Sequence, residues 1–305
     1  MINGIINVYK EKGFTSHDVV AKLRGIVGQK KIGHTGTLDP DAEGVLPVCL
    51  GKATKVCDLL TDKDKTYEAV LLLGKSTDTQ DITGDVLNEL ETDHLNEMDV
   101  VECIHSFIGE YDQIPPMYSA LKVNGKKLYE LAREGKTVER KSRKVIIHDI
   151  RILEVNLPYV RFEVDCSKGT YIRTLCHDIG ERLEVGGCMT QLLRTKVGIF
   201  HLSDSVKLGQ IQQAKDENQL RNLVMPVDSV FHDLPKLCTM KKWDFFAYNG
   251  NPLNKDCVQD STVQFAEKQK VRFYDSSDRF IGIYRYDDRK QEFRIEKMFF
   301  DPDEE

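Results

Sequence analysis

Gly33-His34-Thr35-Gly36-Thr37-Leu38-Asp39-Pro40-Asp41-Ala42-Glu43-Gly44-Val45-Leu46-Pro47 is the densest irregular stretch of this chain. Its three glycines, two prolines and lack of apolar period predict a rigid loop that runs into a buried strand. Loops held on a scaffold are where reactive groups concentrate. Taken alone, Asp39-Pro40 is an ordinary turn initiator. The Gly-Lys at Gly51-Lys52 is no phosphate cradle. The segment from Gly44 to Gly51 is too long for G-x-x-x-x-G-K-[ST], too apolar, and is followed by Ala53.

Outward from this loop the chain becomes regular. Residues 4–10 alternate as a short strand, and Thr15-Ser16 offers an N-cap for an amphipathic helix through Val19, Val20, Leu23 and Ile26 that Gly28 closes. Strands are expected at 45–50, 65–74, 143–155 and 159–166, and helices at 54–60, 95–107, 126–134 and 170–183. Strand pairs with intervening helices specify an α+β fold rather than a doubly wound sheet. Beyond about residue 230 the short strand candidates 271–274, 280–284 and 293–295 read as a small all-β module. The acidic turn 78–85 is not a calcium loop, because Ile82 and Thr83 stand where an EF-hand needs an oxygen ligand and Gly.

Composition narrows the function classes. The longest apolar run, Ala69-Val70-Leu71-Leu72-Leu73, is far short of the roughly 20 residues of a membrane helix. No basic segment followed by an apolar core opens the chain, so a cytoplasmic protein is expected. The 8 cysteines form no Cys-x-x-Cys pair and no zinc-type spacing, which predicts reduced structural thiols and no metal. The net charge of −6 hides an asymmetry. Residues 61–119 carry 3 basic and 14 acidic side chains, whereas residues 120–200 carry 16 basic and 10 acidic. Nine of those bases lie between Lys122 and Lys144, either as a surface for phosphates or as a solvated hairpin.

The strings Gly33-His34-Thr35-Gly36-Thr37-Leu38-Asp39-Pro40, Ala42-x-Gly44-x-Leu46-Pro47 and Gly51-x-Ala53-Thr54-Lys55 together resemble the signature of the TruB family, the bacterial tRNA pseudouridine-55 synthases. Further blocks resemble that family's motifs in the same order. They are Lys65-Thr66-Tyr67; Thr77-Asp78-Thr79 with Asp81 and Gly84; Gln113-x-Pro115-Pro116-x-Tyr118-Ser119-Ala120-x-Lys122 with Gly125, Tyr129, Ala132, Arg133 and Gly135; Cys166-Ser167-Lys168-Gly169-Thr170-Tyr171-Ile172-Arg173; and Leu192-Leu193-Arg194-Thr195. The resemblance spans about residues 3–230, with one departure at Leu193, where many relatives carry Arg. The tail is similar, more weakly, to a PUA module, a small RNA-binding β-fold.

The resemblance implies a mixed, largely antiparallel central sheet with flanking helices in a catalytic domain of residues 1–230. An RNA-contacting insertion falls at about 80–145, and a PUA-like domain at 235–305. It implies that Asp39 is the catalytic carboxylate, paired with Arg173, and that Tyr67 stacks on the target base and accepts or relays a proton. Leu192 would close the apolar side of the pocket, and His34 would fill the space left by an extruded base. Lys10, Gly36 and Tyr171 fall among the expected substrate contacts. Lys122, Lys126, Lys127, Arg140, Lys141, Arg143 and Lys144 would meet phosphates. Read without the motifs, Tyr67 is a cross-strand aromatic, Arg173 a surface pair, Leu192 a core residue and His34 a loop hydrogen-bonder.

Pseudouridine formation breaks a glycosidic bond and rejoins the base through carbon, with no redox change, so no cofactor is expected. A carboxylate can attack the sugar C1′ or the base C6, or stabilise a cationic ribose, and residue type alone leaves these open. An adjacent guanidinium is expected to lower an Asp pKa by roughly 1–3 units. The expected substrate is the T-arm of tRNA, handled by a monomer with no obligate protein partner and no membrane. Two alternatives stand beside it: an RNA-binding or RNA-folding protein on the same scaffold, and a guide-RNA-dependent relative of the H/ACA kind. Retention of Asp39, Tyr67 and Arg173, and the full 80–190 segment, favour the stand-alone enzyme.

Overall fold

Strand Gly4–Lys10 and strand Glu43–Leu50 bury nearly every side chain, so both faces of this part of the sheet must be covered. On one face Ile6, Val8, Leu46 and Val48 pack with Val19, Leu23 and Val27 of the helix Ser16–Val27. On the other, Ile5, Val45 and Cys49 pack with Val230, Phe231, Ile283 and Phe299 from the end of the chain. The computed structural model describes residues 1–123, 125–259 and 264–300.

The nine-stranded main sheet runs, by neighbours, Gly4–Lys10, Glu43–Leu50, Gly187–Val197, Lys65–Leu73, Tyr159–Cys166, Arg143–Asn156 and Gly109–Gln113, with two short strands off this path. Every pairing is antiparallel except the short contact of Gly187–Val197 with Glu43–Leu50, where Leu193 meets Glu43 and Arg194 meets Gly44. The sheet is therefore mixed and largely antiparallel, with helices Ser16–Val27, Glu97–His105 and Ile172–Arg182 flanking it. The second sheet, of five strands ordered Lys236–Cys238, Lys270–Tyr274, Phe280–Asp287, Glu292–Met298 and Leu253–Asn254, has its own core around Phe273, Tyr284 and Phe293. Among the described residues, no helix is long and apolar enough to cross a membrane.

The expected helix after the functional loop's flanking strand follows its capping residues. Thr15 accepts from the Asp18 amide in a reciprocal capping box, and Gly28 takes the left-handed conformation at φ 75° that ends the helix. Elsewhere the structure corrects the expectation. The helix placed at 126–134 begins only at Leu128, because Lys126–Lys127 pairs with Lys122–Val123 as a hairpin. The helix at 54–60 is a 3-10 turn, Gly51–Val56, followed by Cys57–Thr61. The C-terminal module is not all β, since it contains the helix Asp244–Tyr248. The central strand Gly187–Val197 was not expected at all. Its register shifts near Gln191 and Lys196 break the two-residue alternation that marks a strand in sequence.

Candidate active site

Asp39 sits on a loop whose backbone is anchored by the side chains of Ser16 and Lys10. The Leu38 amide donates to Ser16 Oγ at 3.0 Å, and the Ala42 amide donates to the Asp39 carbonyl at 3.1 Å, so Asp39-Pro40 does begin a turn. Lys10 donates its ammonium to the carbonyls of Pro40 at 3.0 Å and Ala42 at 2.5 Å. Burial brings that ammonium down to about 8, against the pull of nearby Asp39. Lys10 was expected among the substrate contacts. It is instead wholly buried with its donors taken up, so it positions the loop.

Arg173 reaches this loop from the first turn of helix Ile172–Arg182. Its Nε lies 3.0 Å from Asp39 Oδ2, and one Nη 3.5 Å from Asp39 Oδ1, a two-point grip on the carboxylate. The remaining donors go to the Thr79 carbonyl at 3.0 Å, the Tyr118 carbonyl at 2.7 Å and Asp81 Oδ2 at 3.3 Å. All five N–H groups of a guanidinium are thereby used. Arg173 is buried, yet the Asp39 side chain keeps 42% exposure, so it is fixed from behind and open to a ligand in front.

A net lowering of the Asp39 pKa was expected from Arg173. The direction is upward. Desolvation in the recess is the largest cause, Arg173 opposes it, and Asp81 adds to the rise. One guanidinium shared between two carboxylates cannot neutralise both. Asp81 in turn is built into the acidic turn: its Oδ1 accepts from the Thr83 amide at 3.0 Å and from Thr79 Oγ1 at 2.8 Å.

The other expected residues surround this pair. Tyr67, buried to 7% exposure on strand Lys65–Leu73, shares a core cluster with Leu38 and Ala42, and half-buried Leu192 packs against that cluster. Tyr171 is clamped by Gln113, whose side chain accepts from the Tyr171 amide at 2.7 Å and donates to its carbonyl at 2.9 Å. Gly36, at φ +119°, accepts from His34 Nδ1 at 3.2 Å. His34 lies on the short strand Ile32–His34, edge-on to His17 with ring centres 5.2 Å apart. Burial lowers its pKa, and the neighbouring His17 and Arg194 lower it further, which favours the neutral imidazole.

Of the basic block, Lys122, Lys141 and Arg143 make no ion pair among the described residues. Lys126 and Lys136 share Glu134, Lys144 pairs with Glu110 at 3.0 Å, and Arg140 donates to the Pro115 carbonyl. Part of the block is thus spent locally. A more open basic surface was missed: a cleft of about 580 Å³ lined by His17, Arg24, Lys30, Lys31, His34 and Thr54, with no carboxylate in its lining. These bases are spread over the helix Ser16–Val27, the connection that holds Lys30 and Lys31, and the short strand Ile32–His34, so no long run of charge marks them. Among the described residues, no group of three His, Cys, Asp or Glu side chains is placed to hold a metal ion.

Comparison with known proteins bears on this arrangement. Residues 24–172 match the family model described as TruB family pseudouridylate synthase (N terminal domain), and residues 173–232 match tRNA pseudouridylate synthase B C-terminal domain. The chain is 56% identical to tRNA pseudouridine synthase B of Lachnoclostridium phytofermentans over 98% of its length and 100% of that protein. The chain belongs to the TruB family of pseudouridylate synthases. It is therefore an isomerase. Another TruB-family relative, tRNA pseudouridine synthase B of Clostridium kluyveri, is 43% identical over 98% of this chain and 100% of that one. Among solved structures, a Cbf5-Nop10-Gar1 complex contains a chain 28% identical, with a TM-score of 0.73 over 98% of this chain and 86% of that one. An H/ACA RNP bound to a substrate RNA containing 2'-deoxyuridine is similar at 25% identity and the same TM-score, covering 98% and 86%. The pseudouridine synthase fold expected from the TruB motifs is the fold observed.

Proposed function

We propose that this chain converts uridine 55 in the T-arm of tRNA to pseudouridine in the cytoplasm, as a monomer without guide RNA or protein partner. The observation that carries the proposal is Asp39 gripped at two points by buried Arg173 while its front remains open. Membership of the TruB family, and relatives named for tRNA, support the substrate class.

The target base lies within a folded arm and must be swung out, at a cost of a few kcal/mol. Neutral His34 stacks where the base was, contributing roughly 1–3 kcal/mol. The uracil then lies over Tyr67, with Leu192 on its apolar side and Tyr171 and Gly36 lining the approach. Asp39 supplies the negative charge that the sugar needs as the N1–C1′ bond breaks. The uracil turns over, C5–C1′ forms, the hydrogen on C5 leaves as a proton, and N1 gains one. Tyr67 is the proton acceptor at C5. No redox equivalent or added group enters, and no cofactor is proposed.

We assign residues 1–230 to catalysis, with the segment 80–145 contacting RNA, and 235–305 to RNA anchoring. Residues 260–263 and 301–305 of the last span, and residue 124 of the RNA-contacting segment, lie outside the described residues. Lys122, Lys126 and Arg143, with the cleft lined by Lys30 and Lys31, would follow the phosphates. The purified chain alone should release about one tritium per unmodified tRNA transcript carrying [5-³H]uridine, and none from a transcript with cytidine at position 55. Release that requires a second RNA or protein would favour a guide-dependent relative, and no release at all would favour a binding protein.

Removing the tail would not isolate its anchoring role, because the tail also covers the main sheet. Ile283 and Phe299 fill the same cluster as Ile5, Val56 and Phe231, and Lys55 donates to the Met298 carbonyl, so truncation would strip the main sheet of cover. The exposed patch of Lys241, Lys242 and Phe245, the last 73% exposed, is the better target. Substituting Lys241→Glu, Lys242→Glu and Phe245→Ala together should weaken tRNA affinity by about tenfold and flatten its salt dependence. The single-turnover rate at saturating enzyme should change less than about threefold. Filter binding at several salt concentrations, paired with single-turnover tritium release, makes the comparison. Unchanged affinity would remove the anchoring role.

A further inference from the structure

Arg194 carries a buried charge that the proposed chemistry has not yet used. It is 1% exposed, and among the described residues no carboxylate pairs with it. Its Nε donates to the Val45 carbonyl at 2.7 Å, but one terminal nitrogen has no partner. An uncompensated buried charge costs several kcal/mol, so a fold that keeps one must gain something from it.

The register of the sheet says where the guanidinium works. On the strand Gly187–Val197, Arg194 stands directly opposite Tyr67 on one side and Gly44 on the other. A side chain at Gly44 could not fit, because a Cβ there would lie 2.2 Å from the Arg194 carbonyl oxygen. The glycine that ends the Asp39 loop thus lets the Arg194 strand close against it. As direct partners on neighbouring antiparallel strands, Arg194 and Tyr67 send their side chains to the same face of the sheet, where the guanidinium charge favours the phenolate of Tyr67. A guanidinium only donates, so in a bond between the two the phenolic oxygen is the acceptor.

We propose that Arg194 is a positioning residue of the reaction: it anchors the Tyr67 phenolic oxygen and supplies the counter-charge for its phenolate. Burial raises the Tyr67 pKa, and Arg194 is the foremost influence pulling it back. Tyr67 loses its phenolic proton to solvent before the step. Once C5 is bonded to C1′, the phenolate takes the C5 hydrogen as a proton. The C–H electron pair restores the C5–C6 double bond, and the proton passes to solvent. This rests on Tyr67 being the proton acceptor, as proposed above.

The test is a double-mutant cycle in single-turnover tritium release, with Arg194→Gln, Tyr67→Phe and the pair. Arg194→Gln should slow release about 100-fold at pH 7, within the range of a general base, while tRNA affinity stays within about threefold. The deficit should narrow as pH rises and phenolate forms without help. In the Tyr67→Phe background the same change should cost less than about twofold. An equal cost in both backgrounds, or a deficit constant with pH, would overturn the proposal. If Arg194→Gln fails to fold, Arg194→Lys serves, keeping the charge. It should run within about tenfold of the unchanged enzyme, and a folded Lys variant as slow as Tyr67→Phe would equally overturn it. A fully active Tyr67→Phe would remove the base assignment itself, whereas a slow Tyr67→Phe beside a fast Arg194→Gln would remove only Arg194.

Discussion

Asp39→Asn should stop pseudouridine formation while leaving tRNA bound. The substitution keeps size and shape and removes only the charge. Arg173 retains Asp81, the Thr79 carbonyl and the Tyr118 carbonyl, so its position does not depend on Asp39 alone. The loop is likewise held through Lys10 and Ser16, neither of which touches the Asp39 carboxylate in its fixing bonds. What disappears is the negative oxygen facing the sugar. Loss of a residue that acts directly in covalent or electrostatic catalysis costs on the order of 10⁴-fold in rate. Single-turnover tritium release should fall by that much, with filter-binding affinity within about threefold. A variant that retained a tenth of the normal rate would show that another group performs the chemistry.

Arg173→Ala should damage both stability and rate. Removal of the guanidinium leaves Asp39 and Asp81 facing each other, and the Thr79 and Tyr118 carbonyls without their donor. Breaking a buried pair typically costs 3–5 kcal/mol. Because the Asp39 side chain is 42% exposed, solvent screens part of this, and about 3 kcal/mol is the better figure. In a chain of this size that corresponds to a melting temperature lower by about 5 °C. The rate should fall about 10³-fold, since the carboxylate loses its aim and the charge that opposes its raised pKa. Arg173→Lys keeps the charge but not the fork, and should recover stability more than rate. Calorimetry and single-turnover kinetics separate the two. Wild-type melting with wild-type rate in the Ala variant would mean that the grip on Asp39 is incidental.

Local chemistry was legible wherever it is written in consecutive residues. Thr15 and Gly28 mark the ends of the helix Ser16–Val27 because capping is decided within one turn of chain. Strands Arg143–Asn156 and Tyr159–Cys166 were visible because they lie at one side of the sheet, where exposed and buried residues alternate clearly over much of their length. Asp39, Tyr67 and Arg173 stood out through their motifs. The pKa direction at Asp39 did not, since it depends on Asp81 arriving from another turn to share the same guanidinium. Lys10 was expected among the substrate contacts, and only the fold shows the carbonyls of Pro40 and Ala42 taking up its ammonium.

By itself, then, the sequence determined which groups are available: a carboxylate on a stiff loop, an arginine at a helix start, a tyrosine on an apolar strand. Tertiary structure alone decided which cation serves which anion, and that the strand Gly187–Val197 fills the middle of the sheet with Arg194 against Tyr67. The physical reason is range. Caps and alternation act over a few residues, whereas desolvation and Coulomb interactions depend on distances set by segments far apart in the chain, such as Asp39 and Arg173, which are 134 residues apart.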